Sequence, residues 1–120
     1  MQTYIVSNLS KKIHLKMKME VAKTRLQQMR GLMFRKEIIP MLFIFESEGK
    51  HPIHSFFVPA CFDAIYLSKE FVVREIFRRI QPNTLLICPS ENAKFLLELP
   101  CKLSSRLKIE VGDVLRLEEC

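Results

Sequence analysis

Between residues 30 and 67 the chain repeatedly alternates turn-forming residues with dense apolar runs, and this alternation limits the fold to short strands with tight connections. Gly31 and Pro40 precede the apolar run at residues 41–45, and Pro59 precedes the run Phe62–Leu67. Runs of roughly four to eight apolar residues bounded by Gly, Pro and polar residues are typical of buried strands. The pattern therefore predicts a β-rich fold, although it points to no reaction.

A second periodicity lies before this region, where apolar and polar residues alternate over residues 11–21. A period of two predicts a strand with one buried face and one face in water. The two faces consist of Leu15, Met17, Met19 and Val21 on one side and Lys16, Lys18 and Glu20 on the other. A shorter strand at residues 4–6 is predicted to precede it, with a turn at Ser7 and Asn8 between the two.

A short helix is predicted to begin at Thr24. Gln27 follows three positions later and completes a capping box, in which each side chain bonds a backbone N–H that the helix start leaves unpaired. Gly31 can supply the left-handed residue that ends the helix. Leu26 and Met29 are expected to face the core, because a helix of one or two turns needs packing to be stable.

The remaining elements are shorter. Residues 46–50 are predicted as a hairpin connection and residues 53–58 as its return strand. Residues 71–80 fit a helix or a strand equally well, because their apolar face has helical spacing but their start is β-branched. The last third is predicted to contain a strand at 93–99, with Lys94 and Glu98 on its polar face, then a helix or turn at 103–107 and a strand at 114–117. The elements together predict a mostly β (β-rich α+β) fold: a compact, antiparallel, barrel-like single domain with one or two short helices.

Composition restricts the possible classes of protein. A chain of 120 residues that is 48% hydrophobic and 27% charged has the size and balance of one globular domain, residues 1–120. No apolar run approaches the roughly 20 residues that cross a bilayer, and no signal-peptide pattern is seen, so a cytoplasmic location is expected. The four cysteines are widely spaced, which predicts free thiols. No cofactor is expected, because no Gly-rich phosphate loop or zinc-protease motif is present.

The net charge of +6 is concentrated in the first third of the chain. Residues 1–40 contain nine Lys or Arg against Glu20 and Glu37, whereas residues 41–120 are close to neutral. Such polarity allows binding to nucleic acid, an anionic membrane surface or an acidic protein. Most of these bases alternate with apolar residues, so a solvated strand face is the favoured interpretation.

Six short motifs follow one another along the chain: Arg30-Gly31-Leu32-Met33, Met41-Leu42-Phe43-Ile44-Phe45, Phe56-Phe57, Asp63-Ala64-Ile65-Tyr66-Leu67, Leu96-Leu97-Glu98-Leu99-Pro100 and Val111-Gly112-Asp113. Their order and spacing resemble those of the Domain of Unknown Function 192 (DUF192) family of bacteria and archaea, over about residues 15–118. The resemblance implies a small β-rich fold with a short helix before the Gly-Leu-Met turn, and it favours a strand at residues 71–80. It implies no activity, because the family is uncharacterised.

The chain departs from the family pattern at four positions. Pro40 stands where the family often has Gly, and Val58 where it often has Met. Cys61 replaces a common Pro, and Lys102, beside Cys101, replaces a Gly. If these positions line a shared site, we expect the site of this protein to be altered or lost.

Asp63 is the first candidate for a functional side chain, because a carboxylate within an apolar strand suits acid/base or ligand-orienting chemistry. Alternatively, it accepts backbone or Arg hydrogen bonds and fixes a turn. Arg30 is its expected ionic partner, and His54 and Phe57 complete a predicted shallow ligand site. No metal site is predicted, because His51 and His54 would face opposite sides of a strand.

Three functional hypotheses remain open. The leading one is a non-enzymatic ligand-binding or protein-interaction module, with a site at Arg30, His54, Phe57 and Asp63 and an unknown small molecule or protein as its partner. The second is a hydrolase-like enzyme that uses Asp63 and His54 as catalytic residues. The third is a weak nucleic-acid binder that uses the basic N-terminal third. The oligomeric state is not fixed by the sequence.

Overall fold

Seven strands and two short helices make up the computed structural model, which describes residues 1–120. The strands are β1 (Gln2–Asn8), β2 (Ile13–Ala22), β3 (Met41–Gly49), β4 (Phe62–Leu67), β5 (Val73–Ile80), β6 (Ala93–Pro100) and β7 (Leu115–Glu119). The helices are α1 (Arg25–Arg30) and α2 (Cys101–Leu107). Neither helix has the length or the apolar character needed to cross a membrane.

The strands form one curled sheet in the order β5-β4-β6-β3-β2-β1-β7. Neighbouring strands are antiparallel except β2 and β3, which are parallel because α1 and the segment after it return the chain to the same end of the sheet. The outermost strands meet at one end, where Val72 pairs with Val114 and the Val73 N–H donates to the Asp113 carbonyl at 2.8 Å. The sheet is therefore a half-barrel.

Both faces of the curled sheet are buried. The inner cluster, inside the curl, includes Val6, Met19, Ile65, Leu97 and Leu107. The outer cluster, on the opposite face, includes Phe43, Phe62, Tyr66, Ile87 and Leu96. Successive residues of a strand point to opposite faces, so β4 supplies both clusters and all six of its residues are buried.

Two long loops, residues 50–61 and 81–92, cover the outer cluster and are joined by Ser55. This side chain is fully buried. Its Oγ accepts the Thr84 N–H at 2.7 Å and donates to the Gln81 carbonyl. The loops have few strand-like bonds of their own, so this buried hydroxyl satisfies backbone groups that would otherwise be unpaired.

The structure confirms the mostly β fold with short helices, together with several element assignments. Thr24 and Gln27 form both bonds of the capping box. The segment that fitted a helix or a strand equally well is strand β5, which forms a hairpin with β4. The alternation of β2 is also as expected, with Met17 and Met19 buried and Lys16 and Lys18 exposed.

The segment after residue 45 differs from the prediction. Residues 46–50 are not a hairpin connection, because β3 continues to Gly49. Residues 53–58 are not a strand, and their only ladder contact is a bridge between Ile53 and Ile87. Ile53 and Val58 pack on the outer cluster from a loop, and short apolar runs of this kind cannot be told from a strand by pattern alone.

Two further details are wrong in the prediction. Ser7 and Asn8 belong to β1 rather than to a turn. Leu26 and Met29 do not face the core, since they are 78% and 66% exposed. These errors have a common cause in tertiary packing. Local sequence patterns do not show which distant segment will pack against an edge residue or a short helix.

A side-chain amide attaches α1 to the sheet in place of apolar packing. Gln28 Nε2 donates to the carbonyl of Ala22 at 3.1 Å and to that of Ile44 at 2.9 Å. These carbonyls belong to β2 and β3, the parallel pair. The helix is therefore held over the sheet by polar contacts, which leaves space beneath its end.

Gly31 ends α1 with φ 46° and ψ −120°, a combination that residues with a Cβ rarely adopt. A Cβ at this position would lie 3.2 Å from Cζ of Phe43.

We expect Gly31→Ala to lower the free energy of unfolding by about 2 kcal/mol, measured by urea denaturation. Gly112→Ala is the matched control: its φ is 94°, but a Cβ there would meet nothing within 4 Å. A smaller loss in the control isolates the contact with Phe43, and no loss at Gly31 would contradict the assignment.

Candidate functional site

An open cleft of about 640 Å³ lies on the outer face of the sheet. One wall consists of the end of α1 and residues 31–33, and the other consists of residues 51–54 and Val58. Strand residues form the floor, among them Phe43, Phe62 and Glu98. The volume lies within the range of small-molecule sites in proteins.

The carboxyl group of Glu98 is buried in the floor of this cleft. The residue is 3% exposed, and its Oε1 has no hydrogen-bond partner. Opposite it in the sheet are Met41 and Ala64, whose side chains cannot donate or accept a strong hydrogen bond. Buried polar side-chain atoms are nearly always paired. An unpaired one beside a cleft has the capacity to bond a polar group of a ligand.

Burial raises the pKa of Glu98 to about 8. At neutral pH the side chain is therefore mostly a neutral carboxylic acid, which can donate one O–H hydrogen bond. A carbonyl or carboxylate oxygen is the complementary group on a ligand.

Two histidines line the opposite wall. The His51 ring stacks on Phe45 with a centroid distance of 3.8 Å, and its Nε2 bonds the Ser47 carbonyl at 2.8 Å. His54 Nδ1 accepts the Phe56 N–H at 3.2 Å, which leaves Nε2 as the donor of that ring. Both rings line one cleft because residues 50–54 are not a strand. No group of three His, Cys, Asp or Glu side chains is arranged to hold a metal ion.

Three cations stand at the rim of the cleft, on the side of α1. Lys23, Arg25 and Arg30 line the cleft and are exposed. None of them belongs to an ion pair of the protein. Glu46 is the single acid at the rim. The excess of unpaired positive charge makes the mouth of the cleft attractive to anions.

Part of the basic N-terminal third is neutralised by ion pairs elsewhere. Lys11 Nζ lies 2.8 Å from Glu110 and 2.5 Å from Asp113. Arg35 binds both carboxylate oxygens of Glu20. These pairs reduce the charge available to a nucleic acid, and binding of nucleic acid through this region stays a prediction.

Phe57 lies beside the cleft rather than in it. Its ring stacks on Phe34 with a centroid distance of 4.8 Å, and the Phe34 N–H donates to the Phe57 carbonyl at 2.8 Å. Both residues are more than half exposed. Their neighbours Met33 and Val58 belong to opposite walls of the cleft, so the stacked pair joins the walls at one end.

Asp63 lies on the other face of β4, because the preceding residue Phe62 points into the cleft. Its Oδ1 accepts the Arg79 N–H at 2.8 Å and the Cys101 thiol at 3.3 Å. Arg78 Nη1 lies 3.8 Å from Oδ2. These contacts match the alternative in which Asp63 accepts backbone and Arg hydrogen bonds.

The structure thus divides the predicted site residues into two groups. Arg30 and His54 line the cleft and Phe57 borders it, whereas Asp63 faces away. The expected Arg30–Asp63 ion pair is not formed, and Asp63 and His54 are not brought together as an acid/base pair. Among the four positions that depart from the family pattern, Val58 lines the cleft and the other three do not.

Sequence reasoning missed Glu98 as a site residue. It placed Glu98 beside Lys94 on the polar face of a strand. In the structure Leu96, which shares that face, is fully buried, and Glu98 is buried with it. The signal was present in the apolar run around Glu98: a strand that is apolar on both faces buries any acid it contains.

The sequence matches the DUF192 family, described as an uncharacterized ACR, over residues 6–117. The chain belongs to the DUF192 family. Two curated relatives of this DUF192 protein are the UPF0127 proteins of Pyrococcus abyssi and Pyrococcus horikoshii. The first is 32% identical over 111 residues, covering 91% of this chain and 93% of the relative. The second is 28% identical over 114 residues, covering 93% and 97%. The resemblance drawn from the short motifs is confirmed.

Two crystal structures share the fold of this DUF192 protein. One, from Sinorhizobium meliloti, is described as a candidate transcription regulator; its TM-score is 0.85 at 23% identity, covering 98% of this chain and 92% of that one. The other is a protein of unknown function from Novosphingobium aromaticivorans, with a TM-score of 0.82 at 23% identity, covering 95% and 83%. At these identities the likeness concerns the fold alone.

Proposed function

We propose that this DUF192 protein is a non-enzymatic module that binds a small organic anion with an apolar body in the cleft. The observation that carries the proposal is the unpaired Oε1 of Glu98 in the floor. A buried, unsatisfied acid costs folding free energy, so a ligand oxygen that accepts its O–H proton restores a hydrogen bond that the protein lacks.

The surroundings of Glu98 support a ligand with two chemically different parts. Phe43, Leu32 and Val58 offer apolar surface at the floor and on both walls. Arg25 and Arg30 offer positive charge at the mouth. A ligand with a carboxylate or sulfonate on an aromatic or branched aliphatic body matches both the positive mouth and the apolar surface of the cleft.

The protonation state of Glu98 sets the pH range for such a ligand. Below about pH 8 the acid is neutral and donates a hydrogen bond. Above this pH a buried carboxylate faces the ligand and repels an anion. Binding of an anion should therefore weaken as the pH rises past about 8.

The test is isothermal titration calorimetry of the purified protein at about pH 7 with 1-naphthylacetate and with its uncharged primary amide. We expect saturable binding of the acetate and at least severalfold weaker binding of the amide. Exposed cations each contribute roughly 0.5–1 kcal/mol, so the double variant Arg25→Gln/Arg30→Gln should weaken acetate binding by about tenfold. The same titration at about pH 9 should also show weaker binding of the acetate.

A matched control uses two bases far from the cleft. Lys16 and Lys18 are exposed on β2, so Lys16→Gln/Lys18→Gln changes the net charge equally and should leave acetate binding unchanged. Equal losses in the two double variants would show attraction by net charge alone. The absence of saturable binding for both compounds would refute the proposal for this ligand class.

A further inference from the structure

Two of the four cysteines lie side by side on the far side of β4 from the cleft floor. Cys61 directly precedes β4, and Cys101 is the first residue of α2, directly after β6. Their Sγ atoms are 3.5 Å apart, although the residues are 40 positions apart in sequence. Both residues are partly exposed, so a small reagent in solution can reach the pair.

The sheet itself holds the two residues opposite one another. Phe62 of β4 pairs with Pro100 of β6, so Cys61 and Cys101 occupy the next step of the same antiparallel register. Residues directly opposite have Cβ atoms roughly 4.5–5.5 Å apart, and a disulfide needs roughly 3.5–4.5 Å. Closing this gap requires a shift of about one ångström where the two strands end.

We propose that Cys61 and Cys101 are a modification site: a thiol pair that forms a reversible intramolecular disulfide by exchange with a small-molecule disulfide such as oxidised glutathione. The distance, the register and the exposure of the two side chains all favour this disulfide. It does not depend on ligand binding in the cleft.

The surroundings of the two thiols determine which one attacks the glutathione disulfide first. The Cys101 thiol donates its proton to Asp63 Oδ1 at 3.3 Å. Burial, and then the contacts with Cys61 and Asp63, raise the pKa of Cys101 above its usual value. Cys101 is therefore held as a thiol, and Cys61 is the sulfur that attacks first.

The exchange proceeds in two balanced steps. The Cys61 thiolate attacks one sulfur of oxidised glutathione, so a mixed Cys61–glutathione disulfide forms as the glutathione S–S bond breaks; one glutathione thiolate leaves and takes up the proton that Cys61 released. Cys101 then gives up its proton and attacks the Cys61 sulfur, so the Cys61–Cys101 bond forms and the second glutathione leaves as a thiol. Two cysteine thiols have lost two electrons and two protons, and one glutathione disulfide has gained them.

The new disulfide would add a covalent cross-link between two parts of the chain. It would link the loop that ends at Cys61 to the start of α2 and enclose β4, β5 and β6 in one covalent loop. Cross-linking a long loop restricts the unfolded chain and so stabilises the folded one. The bond would also remove the thiol that donates to Asp63. We expect the oxidised protein to unfold at least about 5 °C above the reduced protein.

The test equilibrates the full-length protein at about pH 8 in glutathione buffers of increasing oxidised-to-reduced ratio, followed by acid quenching, alkylation and peptide mass spectrometry. We expect the intact protein to lose two hydrogen atoms, with Cys61 and Cys101 protected together and Cys88 and Cys120 alkylated. Cys61→Ser and Cys101→Ser should each abolish this loss, whereas Cys88→Ser/Cys120→Ser should keep it.

Other outcomes overturn the proposal. These are alkylation of Cys61 and Cys101 across the whole series, separate glutathione adducts without the internal bond, or dimers linked through Cys88 or Cys120 alone. If a serine variant does not fold, the unfolding temperatures of oxidised and reduced wild-type protein decide the question. Equal temperatures, with no internal bond in the peptides, would exclude the disulfide.

Discussion

Between about pH 4.5 and pH 8 the wild-type protein should lose stability as the pH rises, and Glu98→Gln should lose much less. The cause is the burial of Glu98, which raises its pKa in the folded protein from 4.5 to about 8. Within this window the folded protein retains a proton that the unfolded chain has released. Each rise of one pH unit therefore lowers the free energy of unfolding by about 1.4 kcal/mol, and the whole window lowers it by roughly 5 kcal/mol.

The sign and the limits of this effect are both testable. Below pH 4.5 the group is protonated in both states, and above about pH 8 it is ionised in both, so the difference between variant and wild type should be flat outside the window. The measurement is urea denaturation at five or six pH values. Glu48→Gln, an exposed acid of the neighbouring strand β3, is the control and should follow wild type. Parallel curves for wild type and Glu98→Gln would show that Glu98 titrates normally.

Asp63→Ala should lower the free energy of unfolding by about 2–4 kcal/mol, whereas Asp63→Asn should lower it by about 1 kcal/mol. Asp63 is 3% exposed, and its Oδ1 accepts the Arg79 N–H. Arg79 has φ 51°, next to an irregularity in the β4–β5 register. Removing the acceptor leaves the Arg79 N–H unpaired at this strained position, while an amide oxygen retains the bond.

Urea denaturation of the two Asp63 variants at about pH 7 measures the difference. The ion pair between Asp63 and Arg78 should contribute little to the free energy of unfolding, because its N–O distance is 3.8 Å and the Arg78 side chain is 49% exposed. Arg74→Gln is the matched control, because Arg74 is an exposed base of the same strand as Arg79 and forms no ion pair; this variant should stay within about 1 kcal/mol of wild type. Equal losses for Asp63→Asn and Asp63→Ala would assign the effect to the charge instead of the acceptor.

Local patterns in the sequence were sufficient for the elements that depend on local chemistry. The capping box at Thr24, the alternation of β2 and the buried run of β4 were all predicted and are all present. Each depends on residues within a few positions of one another, so neighbouring side chains carry the information.

The candidate site was predicted less completely, because it is assembled from distant segments. The histidines of residues 51–54 share a wall only because that segment is a loop docked through Ser55. Asp63, the first candidate, binds a backbone N–H on the other face of β4, whereas Glu98, expected on the polar face of a strand, lies in the floor of the cleft. Which face of a buried strand meets a cleft is decided by the loops that cover it.

Strand β1 hydrogen-bonds both β2, its neighbour in sequence, and β7, at the opposite end of the chain. During synthesis the β1–β2 hairpin can form early, but one edge of β1 remains open until β7 has emerged from the ribosome. Contacts between such distant segments slow folding, and an open strand edge can pair with another chain. The nascent protein is thus most prone to aggregation just before its last strand is made, and a slow C-terminal half would prolong that interval.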